Sequence, residues 1–444
     1  MTTKSQIGRV LTLVRNSIRA ISVAAAVAFA LAGCSGSSSS QSTGSGVGEA
    51  GGKISGTVTF WHAYSADSAE LKTLDQVLIP KFEKDHPGVK VESVPIPYDN
   101  LHQKLVTAVA GDALPDVVRS DIIWVPELAD LGAVAPLDQE MPDFQKYADQ
   151  MYKGPLATNK WKDHYYGLPL DTNTRVLMYN QKTLSAAGIN QPPATFEDLK
   201  EAAPALKEKG AFTFADSNTQ GWNVLPWIWS AGGSITDDDA KKATGHLNSP
   251  ASVKGIQLLV DLYKQNAIPE LILGAKGGTP TSDGLPGGNY ATILDGPWMF
   301  PIFEKQYPDF DLKTAPVPAG DGGSVSVVGG ESVVLTQSSD NKPAAAEFMR
   351  FLVSEEAQLE MAKVGQMPVL SSLSDELPKI HEYYAPFVKQ IENARPRTPT
   401  PAWPRIEEVL RTQVQLALRG EQSAQQSMDQ AAAEIDKLLA RYNK

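Results

Sequence analysis

Five consecutive segments between residues 57 and 118 alternate between β-rich runs and helical spacing. Thr57-Val58-Thr59-Phe60-Trp61 reads as a strand. Leu71, Leu74, Leu78 and Phe82 then recur at helical spacing behind a candidate N-cap at Asp67-Ser68, and His86-Pro87-Gly88 ends that helix. Residues 89–94 form a second strand, 101–110 a second helix and 116–118 a third strand running into Ser120-Asp121. Strands separated by helices need crossover connections, so these three lie parallel in one sheet.

The pattern restarts further on. Gly167-Leu168-Pro169-Leu170-Asp171 leads into a strand over 175–179, and Thr195 opens a helix over 196–207. A helix over 250–265 places Val253, Ile256, Leu259 and Leu262 on one face, a stripe that belongs to a core. Strands over 291–294 and 332–335 follow, and helices over 406–418 and 427–442 close the chain. At 444 residues the chain has room for two lobes with separate cores.

The first 33 residues carry Lys4, Arg9, Arg15 and Arg19 and no acidic residue, then an apolar stretch over 21–32. About a dozen apolar residues fall short of the ~20 that span a bilayer, so this segment reads as an export signal. The arginines are not adjacent, which favours Sec over twin-arginine export. Cys34, the single cysteine of the chain, follows Leu31-Ala32-Gly33. That arrangement resembles a bacterial lipobox, which implies an acylated (palmitate-bearing) Cys34 holding the protein on the outer face of the cell membrane. Residues 35–52 are Ser- and Gly-rich and have nothing apolar to fold around, so they form a tether. Gly46-Val47-Gly48-Glu49-Ala50-Gly51 matches a dinucleotide-binding spacing, but it precedes the first strand and lacks the strand-to-helix context that chemistry needs.

Composition removes several classes of function. The chain has 40 Lys+Arg against 51 Asp+Glu, and losing residues 1–33 leaves 36 basic and 51 acidic, a balance of −15. No Lys/Arg-rich run is present to neutralise phosphates, so no nucleic-acid partner is expected. One cysteine makes neither an internal disulfide nor a Cys-based zinc site, and the six histidines are scattered without metal-ligand spacing; no metal or cofactor is expected. Asp237-Asp238-Asp239 reads as a solvated turn, since a calcium loop needs alternating oxygen ligands with Gly and a distant Glu. Phosphate-loop, nucleophile-elbow and zinc-protease motifs are all missing from the sequence.

Aromatic residues beside polar ones stand at strand ends: Trp61-His62-Ala63-Tyr64-Ser65, Ser120-Asp121 to Trp124, the run Trp222 to Trp229, and Asp295-Gly296-Pro297-Trp298. In open α/β sheets, ligands bind outside the carboxyl ends of strands. Ring faces beside hydrogen-bonding side chains suit sugars, which present C–H faces and a rim of hydroxyls. Trp227 and Trp229 read as core, whereas Trp222 and Trp298 sit beside polar or glycine-rich turns and read as ligand-facing.

From about Ile54 to the C-terminus the chain resembles the extracellular solute-binding proteins of bacterial ABC importers, the family that includes maltose-binding and glycerol-phosphate-binding proteins. The resemblance rests on Ala291 to Trp298 with its Gly-Pro-Trp ending, the strand ending in Trp61, the turn Gly111 to Val117, the 167–180 crossing with Tyr179-Asn180, and Arg395-Pro396-Arg397-Thr398-Pro399 before a helix. It implies an α/β fold: a two-lobe periplasmic-binding-protein clamp with discontinuous lobes, 54–168 plus 319–351 and 169–318 plus 352–444. The hinge would lie near Leu168-Pro169-Leu170 and Ala315-Pro316-Val317-Pro318. Ligand contacts carried over by position are Trp61, His62, Tyr64 and Ser65 after strand one, and Ser120 and Asp121 after strand three. The crossing contributes Asn173, where maltose-type proteins have a carboxylate. Trp222 and Trp298 match stacking aromatics, with Asp295 preceding the latter; Gly329, Gly330 and Glu331 match a backbone-donating segment; Arg395, Arg397, Trp403 and Arg405 lie in a stretch that lines the cleft.

The implied function is a non-enzymatic receptor, expected to be monomeric, that captures a sugar or oligosaccharide and hands it to permease subunits. Two alternatives stand beside it. The arginines prompt a receptor for glycerol 3-phosphate or a glycerophosphodiester, since Arg is the usual bidentate phosphate ligand. A secreted glycoside hydrolase would also combine tryptophans with carboxylates.

Overall fold

The computed structural model describes residues 54–274 and 278–442. The export segment, the Cys34 lipobox, the tether and the Gly46 to Gly51 motif lie outside the described residues.

Two mixed sheets organise the body. The first contains β1 (Gly56–His62), β2 (Val89–Pro95), β3 (Val117–Asp121) and β4 (Leu168–Asn173); the second contains β5 (Val176–Tyr179), β6 (Phe212–Ala215), β7 (Tyr290–Asp295) and β8 (Lys313–Ala315). β9 (Gly329–Leu335) returns to the first sheet, whose order is β2-β1-β3-β9-β4, while the second runs β8-β5-β7-β6. As the alternation of strands and helices requires, β1 is parallel to β2 and β3. β9 is antiparallel to both β3 and β4, because it re-enters from the other lobe, and its register shifts between Glu331 and Ser332.

The longer helices before β9 are α1 (Tyr98–Ala110), α2 (Phe196–Glu208), α3 (Gly221–Ser230) and α4 (Pro250–Lys264); beyond β9 come α5 (Lys342–Leu352), α6 (Glu355–Ala362), α7 (Trp403–Leu418) and α8 (Ala424–Leu439). Thr195 caps α2 with a full capping box: its side chain accepts from Asp198 N–H, and the Asp198 carboxylate accepts from Thr195 N–H. Ser68 likewise caps the first helix, which passes through a π-helical stretch, Leu74–Leu78, before resuming to Asp85. The tryptophan run forms α3, although its sequence has no helical period. It is apolar on nearly every face, which is the signature of a helix buried all round. Trp227 and Trp229 are core, as expected.

The expected hinge tripeptide Leu168-Pro169-Leu170 lies inside β4, paired through Leu168 and Pro169 with β9. The chain leaves the first sheet only after Asn173 and enters the second at Val176. Pairing extends this far because Gly329 and Gly330 face Asn173 and Thr172. Thr174 and Arg175 cross beside Ser326 and Val327: Thr174 Oγ1 donates to Val327 O at 2.9 Å, and Ser326 Oγ donates to Arg175 O at 2.8 Å. A third segment, Ala394–Arg395, pairs in parallel with Ser326–Val327. On the later chain, α6 and residues 369–373 pack into the core of the first sheet, beyond the boundary expected at 351, because Ala357, Met361, Val369 and Leu370 join the cluster around Phe60 and Phe348.

Candidate functional site

A cleft of about 510 Å³ opens between the carboxyl ends of β1 and β3, β9, the start of α3 and the turn after β7. Its aromatic wall is Trp222 and Trp298, with ring centroids 6.1 Å apart and planes tilted by 35°. Both rings are held by glycines at close approach. A Cβ on Gly296 would strike the Trp298 ring, and one on Gly329 would strike Trp222 and the Asn173 amide oxygen. Gly330, at φ +127°, adds a backbone conformation that side chains rarely adopt and lies against the Asp171 carbonyl.

The floor is built on buried charge. The Arg119 guanidinium, in the middle of β3, meets Asp171 Oδ2 at 3.0 Å and Glu331 Oε2 at 2.9 Å and lies 4.2 Å from the Tyr64 ring centroid. Burial, reinforced by Asp171, pushes the Glu331 carboxyl well above the usual carboxylate range against the pull of Arg119. A second guanidinium, Arg397, reaches Asp121 Oδ1 and Glu407 Oε1, each at 3.4 Å, and lies 5.7 Å from the Trp222 ring. Burial raises the Glu407 carboxyl too, opposed by Arg397. Tyr98 Oη donates to Asp121 Oδ2 at 2.6 Å, and Ile123 N–H donates to Asp121 Oδ1 at 3.0 Å. Asp121 is thus tied to α1, to its own turn and to the C-terminal part of the chain at once.

Of the residues singled out from sequence, Tyr64, Ser65, Asp121, Asn173, Trp222, Trp298, Gly329, Gly330, Glu331 and Arg397 line this cleft. The others stand elsewhere. His62 points into the first core beside Phe60, with Nε2 2.9 Å from Ser93 Oγ, and burial lowers its value to about 3. Trp61 lies under the Lys104 ammonium, 4.1 Å from the ring centroid. Ser120 is fully buried and donates to the Asp121 carbonyl. Asp295 sits behind the tryptophan wall, where burial raises its carboxyl to about 6 while Arg175 pulls the other way. Trp403 is core, packed near Gly221, while Arg395 and Arg405 are exposed. Arg395 pairs with Val327 at the end of the short strand Ala394–Arg395 and is exposed; the chain leaves the strand at Pro396, and Arg397 beyond it is buried at the cleft.

Sequence reasoning missed Arg119, Tyr98, Glu70, Gln366, Gln220 and Glu407, all on the cleft wall. One signal was available: Arg119 follows Val117-Val118 in a strand that is buried throughout, and an arginine there must have carboxylate partners. Asp237 Oδ1 accepts from the N–H groups of Lys241 and Lys242, as a turn does, and among the described residues no cluster of His, Cys, Asp and Glu could hold a metal. Among those residues no helix is long and apolar enough to cross a membrane.

A family model described as bacterial extracellular solute-binding protein matches residues 65–359. A putative binding protein of Brucella abortus is 24% identical over 370 residues, covering 81% of this chain and 88% of its own. The sn-glycerol-3-phosphate-binding periplasmic protein of Yersinia enterocolitica is 26% identical over 87% of this chain and 92% of its own. Among solved structures, the GacH receptor of Streptomyces glaucescens, determined unliganded and with acarbose, superposes with a TM-score of 0.77 at 27% identity, covering 87% of this chain and 99% of its own. A solute-binding protein of Thermotoga lettingae bound to α-D-tagatose gives a TM-score of 0.76 at 27% identity, covering 87% and 100%.

Proposed function

Since the chain belongs to the bacterial extracellular solute-binding proteins, we propose that it is the receptor of an ABC importer and that its cleft takes a sugar or oligosaccharide for delivery to the permease. The observation that carries this reading is the pair Trp222 and Trp298, two adjacent ring faces in one cleft with Asp121, Asn173 and Glu331. Sugar C–H faces stack on such rings while hydroxyls exchange hydrogen bonds with the polar side. Titration calorimetry with neutral mono- and oligosaccharides tests it, with glycerol 3-phosphate run beside them. Binding only by the phosphorylated polyol would overturn it.

The glycerol-phosphate reading draws support from the Yersinia relative and from Arg397 at the cleft. Against it, Arg119 and Arg397 are each already engaged by two carboxylates, so neither guanidinium is left to neutralise a phosphate. The same pairing favours binding over hydrolysis, since the cleft carboxylates Asp121, Glu331 and Glu407 are committed to guanidinium groups; assaying the purified protein for glycosidic-bond turnover tests that. For location, the proposal is a lipid anchor at Cys34 holding the body outside the cell. A lipoprotein of Streptomyces antibioticus, 26% identical over 68% of this chain, supports it. The freedom a clamp needs to open favours a monomer.

A further inference from the structure

The charges on the cleft wall do not balance. Arg119 and Arg397 are the only cations among the described residues that line it. Asp171 and Glu331 hold the first at 3.0 and 2.9 Å, and Asp121 and Glu407 hold the second at 3.4 Å each. Glu70 adds a fifth carboxylate, the fourth on the wall itself since Asp171 lies behind it, and accepts a hydrogen bond from the Gln366 amide, Nε2 to Oε1 at 3.3 Å. Two guanidiniums therefore face five carboxylates, at residues that are buried or half-buried. Carboxylates taken from water without full compensation are unfavourable. Burial raises the Glu331 and Glu407 carboxyls against the pull of their guanidinium partners, and Asp171 and Asp121 add to the rise. A neutral sugar can satisfy lone pairs but leaves the deficit in place, and an anion deepens it. The ring faces point the same way. Arg119 lies over Tyr64 and Arg397 over Trp222, so the site already stabilises positive charge against aromatic faces. Trp298, beside Trp222, is the wall ring with no guanidinium over it.

We infer that the saccharide this cleft selects carries a protonated nitrogen, as an amino sugar or imino sugar does, with its ammonium placed between Glu70, Glu331 and the tryptophan wall. The inference rests on the saccharide reading and adds a charge to it. In this arrangement the ammonium donates to the carboxylates while the ring C–H face lies on Trp298. Glu70 becomes a specificity-determining residue, because it is the carboxylate no guanidinium claims.

The test uses two matched pairs at pH 6, titrated calorimetrically into the full chain. The β-1,4 glucosamine disaccharide is paired with cellobiose, and α-glucosyl-1-deoxynojirimycin with maltose. The expected result is at least tenfold tighter binding by the nitrogen-bearing member of a pair. That ratio should narrow in 0.5 M salt and by about threefold or more in Glu70→Gln. A neutral member binding as tightly as its twin, or more tightly, overturns the inference and leaves the saccharide reading intact. Binding by no member of either pair overturns both, and glycerol 3-phosphate in the same series then shows whether the phosphate reading replaces them. Because the parent protein alone yields the ratio, the test holds even where the Glu70 variant is poorly folded.

Discussion

Replacing Trp298 by Ala separates what the ring does for the ligand from what it does for the fold. A Trp side chain offers about 150–250 Å² of contact area. Trp298 is half-buried against Trp222 and the core behind it, so at most about a third of that area, roughly 60–80 Å², is left for a ligand to cover. At ~25 cal/mol per Å² this corresponds to about 1.5–2 kcal/mol, or about 10- to 30-fold in affinity. The rest of the ring, roughly 90–170 Å² packed against Trp222 and the core, makes its removal cost about 2–4 kcal/mol of stability, which lowers the melting midpoint. Calorimetry with the best saccharide ligand and a thermal melt of the empty protein measure the two separately. Trp298→Phe should recover most of the affinity, since a smaller ring still offers a face. An affinity within twofold of the parent in Trp298→Ala, with the melt lowered as expected, would remove the ring from the ligand site and refute the stacking argument.

Arg119→Met strands Asp171 and Glu331 in a buried site, so urea unfolding should show a loss of about 3–5 kcal/mol; adding Asp171→Asn and Glu331→Gln should recover much of it, and no recovery would sink the ion-pair account. His62 is held at about 3, first by burial and then by the Arg119 charge, against its ordinary 6.5. The unfolded chain therefore takes up a proton that the folded one refuses, and His62 contributes stability that is present above pH 6.5 and lost as pH falls towards 3. Between pH 7 and pH 5 its share of the loss is about 2 kcal/mol, so His62→Gln should flatten the stability profile by that much; parallel profiles would contradict it. Cys34→Ala should move the protein from the membrane to the soluble fraction on fractionation of the producing cells, and unchanged partition would argue against the lipid anchor.

Local signals gave strands and helices because they depend on neighbours in the chain. The Ser68 and Thr195 caps, the His86-Pro87-Gly88 stop and the Gly-Pro-Trp turn all stand where local chemistry places them. The cleft depends instead on which distant residues the sheets bring together. Trp222 and Trp298 were legible because polar and glycine-rich neighbours mark a ring that leaves the core. His62 was misplaced because β1 alternates: Phe60 and His62 share the inward face, so the residue after Trp61 turns away from the cleft. Arg119 was overlooked because its partners Asp171 and Glu331 lie on β4 and β9, and nothing within five residues of it announces them. Trp403 was carried over with the stretch around Arg397 and Arg405 that the resemblance places along the cleft, but at that position α7 turns it towards the core.

Arg175 fixes where any opening of the clamp takes place. Its guanidinium bonds to Asp216 Oδ2 at 2.8 Å, to the carbonyls of Trp222 and Asn223 at 3.2 and 3.4 Å, and to the Leu294 carbonyl. All four belong to the second lobe, so the first residue after Thr174 is rigidly part of that lobe, and so is the Trp222 backbone it holds. Gly329 and Gly330, close against Trp222 and Asp171, travel with the first sheet. Any parting of the lobes must therefore draw Trp222 off the Gly329 backbone, changing its solvation at every cycle. Two of the eight tryptophans stand at that seam, so the protein's own emission spectrum is a built-in gauge of how far the jaws are apart, readable without any attached dye.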